Sequence, residues 1–119
     1  IRTEMDDQIR NSMKRTRILE GRYRIAFAPL YGYPSETAEA IRDNMDTDIE
    51  VIVSESGKFS IRSEQPVSHL LAKKFNGGGH PNASGGMFQF STLDKIIFKL
   101  FKRSRFYKKF AEVSETIPE

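Results

Sequence analysis

Residues Phe75–Gly86 read FNGGGHPNASGG and hold five of the eight glycines and one of the two histidines of the chain. Glycine permits positive φ angles and lets a ligand approach the main chain closely, and successive exposed N–H groups can form an anion-binding concavity. We therefore predict a ligand-binding loop at Gly77, Gly78 and Gly79. His80 follows directly, and its imidazole can donate a hydrogen bond or carry charge near neutral pH. For the three glycines alone, a flexible turn is the simpler interpretation.

The complete string is more specific than its glycines. The pattern GGGH-P-N-A-S-GG resembles the GGGHxxAxGG signature of the DHH-associated (type 1) domain, the C-terminal substrate-binding half of DHH-family phosphoesterases. The resemblance covers roughly residues 22–90. Relatives of this kind include the RecJ single-strand exonuclease, nano-RNases and cyclic-dinucleotide phosphodiesterases. A divergent related domain lies at the C-terminus of alanyl-tRNA synthetase, where the residue equivalent to His80 is usually not histidine.

Arg62 belongs to the segment SIRS, which is similar to the S-[LI]-R-S strand of that family. By strand alternation, its side chain points away from the face that carries Phe59 and Ile61. A planar guanidinium can hold a phosphate group with two hydrogen bonds. Spacing alone favours a solvated strand arginine, whereas the glycine–histidine signature nearby favours a ligand contact. The resemblance implies that Arg62, the triple glycine and His80 bind the substrate phosphate.

The remaining sequence predicts a small mixed α/β domain. We expect a sheet of about four to five strands with packed helices, preceded by a connecting helix. Helices are predicted at residues 1–19, 35–45 (with Ser35 as N-cap), 66–75 (with Pro66 in the first turn) and 91–110; strands are predicted at 23–30, 49–53, 58–63 and 87–90. The resemblance divides the chain into a connecting helix from an absent N-terminal catalytic domain (1–20), the DHH-associated domain (21–113) and a tail (114–119).

Composition excludes several classes of protein. The 119 residues suffice for one domain, and 38% hydrophobic with 29% charged residues is typical of a soluble globular protein. No window approaches the roughly 18 apolar residues of a membrane span. The absence of cysteine excludes disulfides and thiolate metal sites and fits a reducing cytoplasm. Because the chain begins at Ile1 without an initiator methionine, we interpret it as part of a longer protein.

A basic segment with interleaved aromatic residues follows the last predicted strand. It contains no acidic residue and comprises Lys95, Lys99, Lys102, Arg103, Arg105, Lys108 and Lys109, with Phe106, Tyr107 and Phe110 between or beside them. Such a segment can follow a nucleic-acid backbone and stack bases. A solvated helix face with core aromatics explains the same pattern. We take Lys102, Arg103 and Arg105 as candidate nucleic-acid contacts.

We predict no catalytic residue, no cofactor and no metal ligand set in this chain. The sequence has no Asp-His-His triplet, and its two histidines are His69 and His80. The catalytic half of the family uses such motifs to hold two divalent metals, Mn²⁺ or Mg²⁺, which activate water. The resemblance implies that these ions bind in the absent catalytic domain. The parent protein would be a metal-dependent phosphodiesterase, and this chain alone would be inactive.

Two functions remain open, both cytoplasmic and neither involving a membrane. In the first, the chain binds the phosphate and terminal nucleotide of a short oligonucleotide, a dinucleotide or another phosphoester, for hydrolysis in the catalytic half; homodimerisation through the full-length protein is compatible with it. In the second, the chain is a stand-alone nucleic-acid-binding module, in which the glycine loop is structural and the basic helix binds. His80 and the SIRS strand favour the first.

Overall fold

The computed structural model describes residues 3–102, 104 and 106–116. Within these residues the chain forms one sheet of six strands and five helices. The mixed α/β class is confirmed, and the sheet has one strand more than the expected upper number. The elements are α1 (Glu4–Lys14), β1 (Arg17–Glu20), β2 (Arg24–Pro29), α2 (Pro34–Met45), β3 (Ile49–Val53), β4 (Lys58–Ser63), α3 (Ser68–Lys74), β5 (Gly78–His80), β6 (Ala83–Met87), α4 (Thr92–Phe101) and α5 (Phe106–Ser114).

The strand order across the sheet is β1-β2-β3-β4-β6-β5. β2 and β3 are parallel, because α2 connects the end of β2 to the beginning of β3. Every other neighbouring pair of strands is antiparallel. The last two strands are exchanged relative to chain order, so β6 lies between β4 and β5. This exchange places the glycine-rich segment beside the strand that carries Arg62.

The two faces of the sheet are covered unequally. One face packs on α3, α4 and α5 through an aromatic-rich core that includes Phe59, Phe75, Phe88 and Phe110. On the other face, α1 and α2 cover β2 and β3 through a smaller apolar cluster. Over β4, β6 and β5 this second face carries small and polar residues that are exposed or partly exposed, namely Ser60, Arg62, Gly78, His80, Ala83 and Gly85. We call these residues the open face.

The prediction of a helix over residues 1–19 is wrong beyond Lys14. Thr3 caps α1 in a capping box with Asp6, but Arg17–Glu20 pairs antiparallel with β2. Ile18 and Leu19 pack into different apolar clusters on opposite faces of the sheet. Side chains of adjacent residues point to opposite faces in a strand, whereas a helix keeps its apolar residues on one stripe. The local pattern of apolar spacings did not reveal this change.

Two helix starts also differ from prediction. Tyr33, in the left-handed region at φ 55°, is the N-cap of α2, and Pro34 occupies its first turn. Ser35 is therefore inside the helix, and its hydroxyl is not used for capping. Pro66 precedes α3, whose N-cap is Val67. Proline suits the first position of a helix because its fixed φ matches and it has no N–H to satisfy, and this explains the start at Pro34.

The C-terminal segment forms two helices instead of the one predicted. α4 ends at Phe101, Lys102 is left-handed at φ 55°, and α5 begins at Phe106. The bend lets Phe98 and Phe106 both enter the core. Ser114 is buried as the last residue of α5, so the chain is still helical where the tail was expected to begin. No helix among the described residues is long and apolar enough to span a bilayer.

Candidate functional site

The glycine-rich segment is a β-hairpin, not the predicted loop of converging amides. β5 pairs with β6 in the register Gly78↔Gly85, Gly79↔Ser84 and His80↔Ala83. In an extended strand, successive N–H groups point to opposite edges. The amides of the triple glycine therefore do not form the anion-binding concavity expected from the sequence. The closing strand starts at Ala83, within the predicted loop, and not at Met87.

Three glycines of the hairpin are explained by close packing. A Cβ on Gly79 would lie 2.6 Å from Ser84 Cα, and its φ of +145° is one that L side chains rarely adopt. A Cβ on Gly85 would lie 2.7 Å from the carbonyl oxygen of Phe59, and one on Gly77 would collide with the carbonyl oxygen of Gly85. In these places the main chains approach too closely for any side chain.

Gly78 differs from these neighbours. A Cβ at Gly78 would meet no atom within 4 Å, and its φ lies outside the left-handed region. Neither packing nor backbone conformation therefore requires glycine at this position. The missing side chain leaves open space on the open face.

That space belongs to a cleft of about 280 Å³ beside Arg62. An Arg62 terminal nitrogen donates a hydrogen bond of 2.6 Å to Ser35 Oγ in the first turn of α2. The cleft therefore lies between the start of a helix and the open face. It is lined by Pro34, Ser35, Ser60, Arg62, Gly78, Ala83, Ser84 and Gly85.

Among the predicted site residues, the cleft brings together Arg62 and Gly78. Gly77 and Gly79 do not line it. His80 is exposed and also lies outside the cleft lining, but it shares the row Arg62–Ala83–His80 across β4, β6 and β5. With strands about 4.8 Å apart, its Cα lies roughly 10 Å from that of Arg62 on the same face. His80 can thus reach a ligand that extends from Arg62 across the hairpin.

An ion pair with a buried carboxylate lies beside Arg62. Glu50 is fully buried as the second residue of β3, opposite Arg62 in the β3–β4 register. It accepts hydrogen bonds from Arg42 Nη2 at 2.7 Å, Arg42 Nε at 3.3 Å and Thr47 Oγ1 at 2.8 Å. Burial raises the pKa of the Glu50 carboxyl, and the hydrogen bonds from Arg42 and Thr47 oppose that rise.

A second cleft, of about 430 Å³, lies over this pair and shares Ser35 and Arg62 with the first. Its lining includes Arg42, Asp43 and Glu39. The two arginines differ in their partners. Arg42 is held bidentately by Glu50, whereas the recorded partner of Arg62 within the described residues is the neutral hydroxyl of Ser35.

Sequence reasoning missed Ser35, Ser60 and Glu50. Ser35 was assigned to capping, although its hydroxyl contacts Arg62. Ser60 was detectable, because alternation places it on the same face as Arg62. Glu50 was also detectable from the sequence, because it lies inside the apolar run Ile49–Val53. A carboxylate in a buried strand needs a cation or hydrogen-bond donors beside it.

The candidate nucleic-acid contacts do not belong to this cleft. Lys102 Nζ lies 3.3 Å from Glu55 Oε1 and 5.3 Å from the ring centroid of Tyr31. It lines a different pocket, with Tyr107 and Lys108. Arg103 and Arg105 lie outside the described residues.

Within the described ranges, no group of three or more histidine, aspartate, glutamate or cysteine side chains is arranged to hold a metal ion. The residues of this chain that the structure describes therefore do not fit the two-metal centre of the family named above.

Solved structures share this fold at low sequence identity. An exopolyphosphatase-related protein from Bacteroides fragilis matches with a TM-score of 0.54 and 22% identity, over 74% of this chain and 28% of that chain. A member of a family of ribosomal proteins, described as a DHH domain, matches with a TM-score of 0.55 and 14% identity, over 98% and 31%. An uncharacterised protein from Helicobacter pylori G27 matches with a TM-score of 0.53 and 24% identity, over 86% and 27%.

These similarities show that the chain shares its fold with parts of these proteins. The chain spans less than a third of the length of each of the three solved structures. No protein-family model and no curated protein matches the chain.

Proposed function

We propose that this chain is the substrate-binding domain of a DHH-type phosphoesterase, and that it binds the phosphate of a short oligonucleotide, a dinucleotide or a related phosphoester in the cytoplasm. The observation that carries the proposal is the position of Arg62. Its guanidinium is held by Ser35 at the start of α2 and lies beside Gly78, where open space replaces a side chain.

The electrostatics of the cleft favour an anion. A guanidinium has five N–H donors, and the hydrogen bond to Ser35 uses one nitrogen. The N-terminus of α2 has no side-chain cap, and the amides of a helix N-terminus carry a partial positive charge. Arg62 and this helix end therefore act on the same anionic group. The hydroxyls of Ser35 and Ser60 add neutral hydrogen-bond donors at the same place.

The open face leaves main chain accessible beside Arg62, which supports the binding of a flat ligand. Beyond Arg62, the row Ser60–Gly85–Gly78 presents almost no side-chain volume. A sugar or base can therefore lie flat on the main chain of the hairpin, with His80 at its far edge to orient a second phosphate or a ribose. Hydrolysis belongs in this proposal to a catalytic domain outside this sequence, which in this family carries two Mn²⁺ or Mg²⁺ ions. Closure of two domains on one substrate would restrict its orientation before the reaction.

The proposal is tested by following backbone amide signals by NMR during titration with pApA, cyclic di-AMP and oligo-dT. We expect at least one of the two dinucleotides to shift the signals of Gly78, Gly85 and Ser35. The same titration of Arg62→Lys should show weaker binding at those amides. The absence of shifts in the cleft with every probe would contradict the proposal. Shifts from oligo-dT confined to α5 would favour the stand-alone nucleic-acid-binding module.

A further inference from the structure

A second cationic pocket lies at the opposite end of the sheet from the glycine hairpin. It has a volume of about 330 Å³, which is within the lower range of small-ligand sites. Its lining comes from the α1–β1 connection, strands β1 and β2, the α4–α5 connection and α5. The described residues that line it are Arg15, Arg17, Phe27, Lys102, Ser104, Tyr107 and Lys108, so four of these seven are cations and none of them is acidic.

Most of these cations have no acidic partner within the described part of the chain. Arg15, Arg17 and Lys108 are exposed, and none of them has a carboxylate partner among the residues that the structure describes. Lys102 differs, because its side chain is only 17% exposed and pairs with Glu55 at 3.3 Å. Among the residues that the structure describes, three cations without an acidic partner therefore line one cavity. Like charges that line one cavity repel each other, and a bound anion relieves that repulsion.

The inner wall of the pocket is rigid. The Tyr107 ring packs edge-on against Phe27, with centroids 5.4 Å apart, and its hydroxyl donates to the Ile18 carbonyl at 3.4 Å. The Arg17 guanidinium lies 5.5 Å from the same ring, a distance typical of a cation–π contact. Tyr107 thus positions Arg17 at the pocket.

Lys102 and Ser104, which lie between α4 and α5, also have defined contacts. Lys102 is left-handed at φ 55°, and its N–H bonds to the Phe98 carbonyl at 2.8 Å. Ser104 Oγ accepts a hydrogen bond of 3.1 Å from the N–H of Phe106. The cations of the pocket therefore come from three separate parts of the chain, and two of them, Arg17 and Lys102, have defined side-chain contacts.

We propose that this pocket binds an anion with two or more neighbouring phosphate groups, supplied either by a nucleic-acid backbone or by a small polyphosphate. Arg15, Arg17 and Lys108 would contact successive phosphates, and the Ser104 hydroxyl would donate a hydrogen bond. The site is independent of Arg62, since it lies at the other edge of the sheet and shares no lining residue with the cleft.

The test uses the complete chain, tripolyphosphate and a dT oligomer, at low ionic strength. NMR signals of Ser104 and Tyr107 report on this pocket, and those of Gly78 and Gly85 report on the Arg62 cleft. We expect at least one probe to shift the Ser104 and Tyr107 signals. Arg15→Ala with Lys108→Ala should weaken that binding by roughly ten-fold or more, because it removes two charge-assisted contacts. Both side chains are exposed, so the fold should be unaffected.

The matched control is Lys95→Ala with Lys99→Ala, which removes the same charge from exposed positions of α4 outside the pocket. It should change the affinity at Ser104 and Tyr107 by less than about three-fold, as expected for screened surface charges. Arg62→Lys should leave these two signals and their affinity unchanged. The experiment therefore distinguishes an absence of binding at the Arg62 cleft from an absence of binding at this pocket.

The two probes distinguish the source of the phosphates. If nucleic acid is the ligand, the dT oligomer binds more tightly, and the double variant reduces the slope of log K against log salt by about 1.4, at about 0.7 for each lost phosphate contact. If a small polyphosphate is the ligand, tripolyphosphate shifts Ser104 and Tyr107 and the dT oligomer does not. The proposal is overturned if neither probe shifts these signals, or if the control variant weakens binding as much as the pocket variant.

Discussion

Arg42 and Arg62 line the same cleft but have different partners. Arg42 neutralises the buried carboxylate of Glu50, and a buried carboxylate without its partner would be strongly destabilising. Arg62 is bound by a serine hydroxyl and faces the open side of the sheet. Arg42 therefore has a charged partner in the fold, whereas in the proposed function Arg62 contacts the ligand.

Arg62→Lys should lower the affinity for adenosine bisphosphate by about ten-fold or more. A rigid guanidinium fork can hold two phosphate oxygens, whereas an ammonium acts as a single flexible point charge. A charge-assisted hydrogen bond contributes about 1.5–3 kcal/mol, and about 1.4 kcal/mol is ten-fold in affinity. Isothermal titration measures the affinity, and the melting temperature should stay close to that of the wild type because Phe59 and Ile61 supply the buried side of β4. Equal affinity of the lysine variant would mean that Arg62 is an ordinary surface residue.

Gly78→Val should abolish ligand binding in the cleft while the domain stays folded. The reason is occlusion of open space and not a requirement for positive φ, since Gly78 is extended and unobstructed. Valine is also well suited to a strand. Gly79→Ala is the matched contrast, because a methyl group there would lie 2.6 Å from Ser84 Cα. Urea unfolding should show a clear loss of stability for Gly79→Ala and little change for Gly78→Val; retained ligand affinity in Gly78→Val would contradict the position of the site.

Glu50→Gln should change how stability depends on pH. Burial raises the folded pKa of Glu50 above its ordinary value of 4.5. Its contribution to the free energy of unfolding is therefore fully present below pH 4.5 and is lost as pH rises through the folded pKa. Because glutamine cannot ionise, the stability of the variant relative to the wild type should increase as the pH rises from about 4.5 through the folded pKa of Glu50. Urea unfolding across this range measures the difference.

The control for this experiment is Glu39→Gln, an exposed glutamate on the same cleft. Its stability relative to the wild type should change less with pH than that of Glu50→Gln. A pH-independent difference between Glu50→Gln and the wild type would show that ionisation of Glu50 does not affect folding.

At the scale of the element, the β5–β6 hairpin combines two requirements. Gly77, Gly79 and Gly85 let three main chains pack closely, and Gly78 leaves space for a ligand. A glycine-rich strand loses more conformational entropy on folding than other strands. The hairpin is nevertheless fixed, because Ser84 Oγ bonds to the Ser68 carbonyl at 2.7 Å and Asn82 bonds to the carbonyls of the β4 end.

Asp46→Gly should stabilise the C-terminus of α2. Asp46 is an exposed C-cap in the left-handed region at φ 53°, where glycine avoids the Cβ clash. The substitution also removes a negative charge from the negative end of the helix dipole. Together these effects should raise the free energy of unfolding by about 0.5–1 kcal/mol. Asp46→Ala removes the same charge but keeps a Cβ, so it should be less stable than Asp46→Gly; equal stability would show that the backbone conformation is not the cause.

At the scale of the molecule, the unequal covering of the sheet is the main feature. On one face, α3, α4 and α5 bury an aromatic core. On the other face, α1 and α2 cover only the half formed by β2 and β3. The remaining half carries Arg62 and the glycine hairpin. In the proposed function, a second domain covers this half when substrate is bound.

The isolated chain should therefore hydrolyse no phosphodiester, even with added Mn²⁺. The expectation follows from the proposed division of work, in which this chain binds and a second domain supplies the metals. The measurement is release of mononucleotide from pApA by a highly purified sample. Turnover that EDTA abolishes would contradict it, because it would show that this chain itself holds a catalytic metal.

The sequence by itself determined the features that depend on local periodicity. Strands β2, β3 and β4 and helices α2 and α3 follow from apolar spacings of two or about 3.6 residues, and alternation placed Arg62 opposite Phe59 and Ile61. Such patterns report which side of an element is buried, because burial is imposed separately on each element.

Only the tertiary structure decided which elements are neighbours. Ile18 and Leu19 became a strand because β2 offered an edge with apolar surface on both faces. The hairpin replaced a loop because β6 inserts between β4 and β5. Residues distant in sequence meet only through this strand order, as in the hydrogen bond from Arg62 to Ser35. Contacts of this kind depend on the fit between surfaces, which local periodicity does not encode.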